Sequence, residues 1–240
     1  MKRKVICIVM FVFGLSILLY PSVANLWNQY VQSRLIVDYQ NKIDKLDDSY
    51  FNKEWDKVNK VEYNQALNIN NDGVMGYLEI PKISLKLAIY HGFSDDVLEK
   101  GIGHLPSSSL PLGINNNHCV LVGHRGLPKA KLFSELDRLD VGDVIYLYVL
   151  DRKFVYEVDQ VLDMVDKNDS KAFDKAFCID ENDYVSLMTC TPYGINTHRL
   201  IVRCKRVNKV VKKEKRSFNY YYLIILVIVF IIWRKLKCGC

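Results

Sequence analysis

The sequence predicts a mainly β globular domain, a closed barrel or a sandwich, set between two membrane-spanning helices. Three observations carry this reading. Short strand-like runs joined by Gly, Pro and Asn turns fill the chain beyond residue 73. Two uncharged apolar runs, 5–20 and 220–233, lie near its ends. The net charge of +6 gathers beside those runs, at Lys2–Lys4, 212–216, Arg234, Lys235 and Lys237, which points to a membrane and away from nucleic acid.

The elements follow in order. Residues 1–25 read as an N-terminal anchor. A spanning helix needs ~20 apolar residues, so residues after Pro21 must contribute, and Trp27 falls at headgroup level. Ser22-Val23-Ala24 also fits a signal-peptidase site, which would make the same run a cleaved leader. Residues 26–72 form a helical arm. Leu35, Tyr39, Ile43 and Leu46, then Phe51, Trp55 and Val58, recur at steps of three and four, and Asp47-Asp48-Ser49 offers an N-cap that divides the arm into two helices.

Asn70-Asn71-Asp72-Gly73 is a turn signal, and the period then changes. Strands are expected at 76–80, 85–90, 118–122, 144–150, 154–165, 184–189 and 200–207. A tight hairpin is expected at Asp151-Arg152, and a short helix over 131–139 with Leu132, Leu136 and Leu139 on one face. The β domain thus spans 73–208, followed by a basic linker, 209–219, the second anchor, 220–233, and a tail, 234–240. Lys-Arg-Lys at the start places both ends in the cytoplasm and the domain outside.

Seven cysteines show no Cys-x-x-Cys pair, which argues against a structural zinc site. Cys190 stands out because it ends an apolar strand and is followed by Thr-Pro-Tyr-Gly, where Pro192 must stop the ladder. A thiolate nucleophile needs a base or cationic neighbour and a donor for the developing oxyanion. Arg199, nine residues on, opens the next strand and returns to the same end if the two strands pair. Five histidines, His91, His104, His118, His124 and His198, are candidate partners. His124 follows a strand and enters a loop, as Cys190 does, but spacing alone leaves the choice open.

Ser186-Leu-Met-Thr-Cys190 resembles the Thr-Leu-x-Thr-Cys signature of sortases, with Ser in the first position. Thr-Pro-Tyr-Gly-Ile-Asn-Thr-His-Arg199 resembles the continuation in class C, the pilin-polymerising sortases. So do Gly76-Tyr-Leu-Glu-Ile-Pro-Lys-Ile, Gly101-Ile-Gly-His-Leu-Pro and Gly123-His-Arg-Gly-Leu-Pro-Lys-Ala-Lys-Leu-Phe. The resemblance implies an eight-stranded β-barrel with catalytic Cys190, His124 and Arg199. It also implies cleavage of a Leu-Pro-x-Thr-Gly-like sorting signal through a thioacyl-enzyme, and transfer to a lysine of a pilin subunit. No metal or organic cofactor is required by that chemistry.

Class C enzymes usually carry a lid with an Asp-Pro-aromatic tip. No Asp-Pro dipeptide occurs here, so a more accessible Cys190 is expected. Two alternatives stand beside pilin polymerisation. One is a sortase that anchors single proteins to peptidoglycan. The other is a catalytically silent, membrane-tethered scaffold that keeps the barrel.

Overall fold

A computed structural model describes residues 2–58 and 60–207. The expected linker, second anchor and tail lie outside the described residues.

Eight strands close into a barrel in the order β1-β2-β3-β4-β7-β8-β6-β5, with β5 pairing back to β1. They are β1 (Val74–Ile80), β2 (Leu85–His91), β3 (Ile102–His104), β4 (Asn117–Val122), β5 (Val144–Val149), β6 (Arg152–Asp166), β7 (Asp183–Thr191) and β8 (His198–Arg206). Closure leaves no free edge among them. Neighbours are antiparallel except β2 with β3 and β4 with β7, which run parallel.

Alternation decides which side chains fill the barrel. Cys119 and Leu121, Val185 and Leu187, and Leu200, Val202 and Cys204 point inward and are fully buried. At one end Asp183 accepts hydrogen bonds from Tyr156 (2.9 Å) and Asn117 (3.2 Å), with Arg206 beside it at 3.5 Å. Burial raises its carboxyl above the usual range, and the three donors oppose that rise.

The arm begins without a break. Helix α1 (Lys2–Ile43) is one continuous helix through Pro21. Its N-terminal part is long and apolar enough to cross a membrane. Its C-terminal part packs on the outer face of β1 and β2, where Ile36 and Tyr39 meet Val74, Tyr77, Ala88 and Tyr90. Helix α2 (Asp48–Lys57) starts where the capping signal stands: the Asp47 carboxylate accepts from the Tyr50 N–H.

Three expectations need correction. Residues 131–139 are not a helix. Leu132 takes φ 37°, which an α-helix cannot propagate, and only a 3-10 turn at Leu136–Arg138 remains. The three leucines are nonetheless buried, so their spacing reports a loop folded onto the core. The hairpin loop is Leu150-Asp151, one residue earlier than expected, with Val149 paired to Arg152 and Leu150 at φ 52°. Strand β3 was not expected at all, and neither were the short helices α3 (Asp95–Leu98) and α4 (Ser170–Ala176).

Two buried histidines make stability depend on pH. His104 bonds to Tyr63 and to the Ser109 carbonyl, and His118 to Ser186 and the Cys178 carbonyl. Burial lowers both below the usual 6.5. The fold takes up protons on them less readily than the unfolded chain does, so the stability they carry is present above pH 6.5 and lost as pH falls below it. Thermal unfolding should therefore move to lower temperature between pH 7.5 and 5.5, with a shallower slope in His118→Asn.

Candidate active site

The site lies on the outer face of the barrel, at the end where β4 and β7 finish and β8 begins. Strand β7 stops at Thr191 because Pro192 has no N–H to continue the ladder. Strand β8 returns antiparallel, and Cys190 pairs directly with Arg199. Opposed residues of an antiparallel pair share a face, with Cβ atoms about 4.5–5.5 Å apart. The nine-residue spacing therefore does bring the two side chains together. Strand β6 joins them through Val165↔Arg199, reached by an irregularity after Leu162 in which Met164 takes φ 59°.

His124 arrives from the other side. Strand β4 runs parallel to β7 with Val122 opposite Met188. The ladder extends one residue further, since Gly123 N–H donates to the Met188 carbonyl at 3.1 Å. The buried Thr189 hydroxyl donates back to the Gly123 carbonyl at 2.7 Å. Continuing that register sets His124 beside Cys190 and on its face. The loop beyond turns inward at once, with Phe133 N–H donating to the His124 carbonyl. Gly123 permits this closeness, because a Cβ there would stand 2.7 Å from the buried Phe133 ring.

The rival residues are placed elsewhere. His118 opens β4 and His91 ends β2, both away from the site, while His104 stands opposite Leu121 and so shares the inward, buried face. His198 pairs with Thr191 and so shares the other face of the sheet. Cys119 and Cys204 are wholly buried, and burial pushes both thiols well above their usual range. Cys178 is exposed but sits in the loop before β7. Cys190 is partly exposed at the sheet's working end.

Side chains around the site carry contacts that the sequence reading missed. Arg125, next to His124, donates to the Thr191 hydroxyl (3.2 Å) and pairs with Asp137 (2.6 Å). It thereby ties the loop after β4 to the residue after Cys190, while its buried Nε has no partner. Arg199 donates to the carbonyls of Asn196 (3.3 Å) and His198 (3.0 Å), which holds the guanidinium at the mouth of the β7–β8 loop. Ser186, the variant position of the signature, bonds His118 at 2.8 Å, so either Ser or Thr supplies the hydroxyl needed there.

The arm is anchored away from Cys190. Trp55 donates to Asp151 and stacks with Arg152 at the β5–β6 hairpin. Tyr63 bonds His104 and Gly92, and His91 bonds the Ala66 carbonyl. The Trp55 contacts lie at the β5–β6 hairpin, opposite the site.

A thiol, an imidazole and a guanidinium on one sheet face can support nucleophilic acyl transfer. In such a set an imidazole can exchange a proton and a guanidinium can face an oxygen that gains charge.

Comparison with known proteins agrees with the barrel fold. The Sortase domain family matches residues 78–207. The crystal structure of sortase C1 from Streptococcus agalactiae is 40% identical, covering 73% of this chain and 99% of that one with a TM-score of 0.66. Sortase C of Streptococcus pneumoniae is 36% identical with the same TM-score, covering 73% and 98%. Sortase D of Bacillus subtilis is 36% identical over 135 residues, a match spanning 55% of this chain and 63% of that protein.

Proposed function

Because this chain belongs to the sortase family of cysteine transpeptidases, with its strong structural matches among class C enzymes, we propose that it is a membrane-anchored pilin polymerase with Cys190, His124 and Arg199 as its catalytic residues. The observation that carries the reading is the direct Cys190↔Arg199 pairing, with His124 delivered to the same face by the parallel β4. Pilin as substrate is supported by the relatives. The Streptococcus pneumoniae enzyme is described for its pilin substrate specificity, and a similar sortase C of Group B Streptococcus is described as pilus-related.

In this reading the Cys190 thiolate attacks the threonine carbonyl of a Leu-Pro-x-Thr-Gly-like signal. The carbonyl oxygen takes the charge against Arg199. The imidazolium of His124 then protonates the departing glycine amine, leaving a thioester. A lysine amine of another pilin subunit attacks that thioester, gives its proton to the now neutral His124 and releases the thiolate, so an isopeptide bond replaces the peptide bond that was cut. Helix α1 holds the domain at the extracytoplasmic face, with residues 220–233 as a second anchor. Residues 26–72 serve as a brace on the barrel rather than a lid.

Deleting the gene should remove the high-mass, SDS-resistant pilin ladder from cell-wall extracts. An intact ladder with single subunits released to the medium would show instead that the acceptor is a peptidoglycan amine.

A further inference from the structure

We propose that the barrel end bearing Cys190, His124 and Arg199 is seated on the lipid bilayer, with loops 125–131 and 192–197 as the contact surface. This rests on the reading of α1 as a membrane anchor. The helix is continuous from Lys2 to Ile43, so the spanning part is joined to the barrel by a rigid rod and not a flexible leash.

The rod fixes a height. A span of about 20 residues beginning at Val5 ends at Ala24. The next residue, Asn25, accepts the backbone N–H of Lys131 at 3.0 Å, in the segment that leaves His124. Gln32 lies seven residues on, about 11 Å further along the helix. It accepts from the Ala88 N–H (2.9 Å) and donates to the Lys100 carbonyl. Tyr39 reaches the Leu150 N–H in the hairpin at the far end. Helix α1 thus climbs the barrel from the active-site end to the hairpin end. The headgroup layer is only about 5–8 Å deep on each side, so loop 125–131 falls within it.

The surface at that height suits a bilayer. Tyr193 and Ile195, two residues apart in the β7–β8 loop, are 62% and 67% exposed and so present a joint apolar tip. Tyr193 packs its ring over Gly126, which puts both loops at one level. On α1, Tyr20 and Trp27 are exposed at the position where aromatic side chains favour the membrane interface. A groove of about 790 Å³ between α1 and the barrel runs upward from this level, lined by Trp27, Val31 and Tyr90 together with Glu99, Lys100 and Lys129. Lys129 is paired with Glu99 and Lys131 with Glu135, so the seat is built on apolar and aromatic contact and does not depend on anionic lipid.

The test uses the full chain in neutral phosphatidylcholine vesicles, with and without a headgroup-nitroxide lipid that quenches tryptophan. Ile195→Trp and Ile114→Trp are each compared with the unaltered chain, because Ile114 is half-exposed just before β4, at the opposite end. The emission added at 195 should be mostly quenched and that added at 114 untouched. If the protein floats with the vesicles while 195 and 114 stay equally bright, the seating is wrong and the anchor reading stands. If it does not float with the vesicles at all, both fall.

Discussion

Cys190→Ala should abolish formation of the thioacyl intermediate and lower transpeptidation by at least about 1000-fold, the scale on which removal of a covalent nucleophile acts. No other described thiol stands at this strand end, Cys7 being near the start of the apolar part of α1. Cys119 and Cys204 are sealed in the barrel, and Cys178 lies in the loop before β7, away from the strand end that Arg199 faces. The variant should keep its thermal midpoint, because Cys190 is partly exposed and its sulfur fills none of the core. Mass spectrometry of the enzyme mixed with a sorting-signal peptide measures the adduct directly. An adduct of unchanged yield in Cys190→Ala would move the nucleophile elsewhere. Trp55 of the arm is held at the hairpin end, so alkylation of Cys190 in the unaltered protein should also be fast.

How much of this could be read from residues alone varied with the range of the interaction. Strands of six or more residues were visible because alternation and turn chemistry are local. Strand β3 was invisible: three residues flanked by Gly101 show no period, and its pairing with β2 depends on the crossover between them. The misread helix at 131–139 arose because burial of Leu132, Leu136 and Leu139 by a loop mimics a helical stripe. The site divides in the same way. Cys190 and Arg199 sit on consecutive strands, so a nine-residue count was enough to place them together. His124 could not be selected from spacing. Its position follows from the parallel pairing of β4 with β7, segments more than sixty residues apart, and only the family resemblance marked it. The bonds from Arg125 to Thr191 and from Asn25 to Lys131 depend on tertiary placement, and nothing local announces them.

Arg199 is where residue chemistry and geometry make the sharpest demand. Its guanidinium already spends donors on the Asn196 and His198 carbonyls, and those bonds hold it at the loop mouth over the strand position of Cys190. A planar, five-donor group can keep that anchorage and still direct a donor at an oxygen gaining charge; an ammonium has a single point of charge and no fixed plane. Arg199→Ala should therefore lower kcat about 100- to 1000-fold, the usual loss for an oxyanion donor. Arg199→Lys should recover little of it despite keeping the charge. The split between constants identifies the role. A loss confined to kcat in single-turnover acylation means that the guanidinium acts on the transition state, whereas a loss confined to KM means that it only holds the peptide. Full rescue by lysine would show that charge alone suffices, and the bonds to Asn196 and His198 would then be structural.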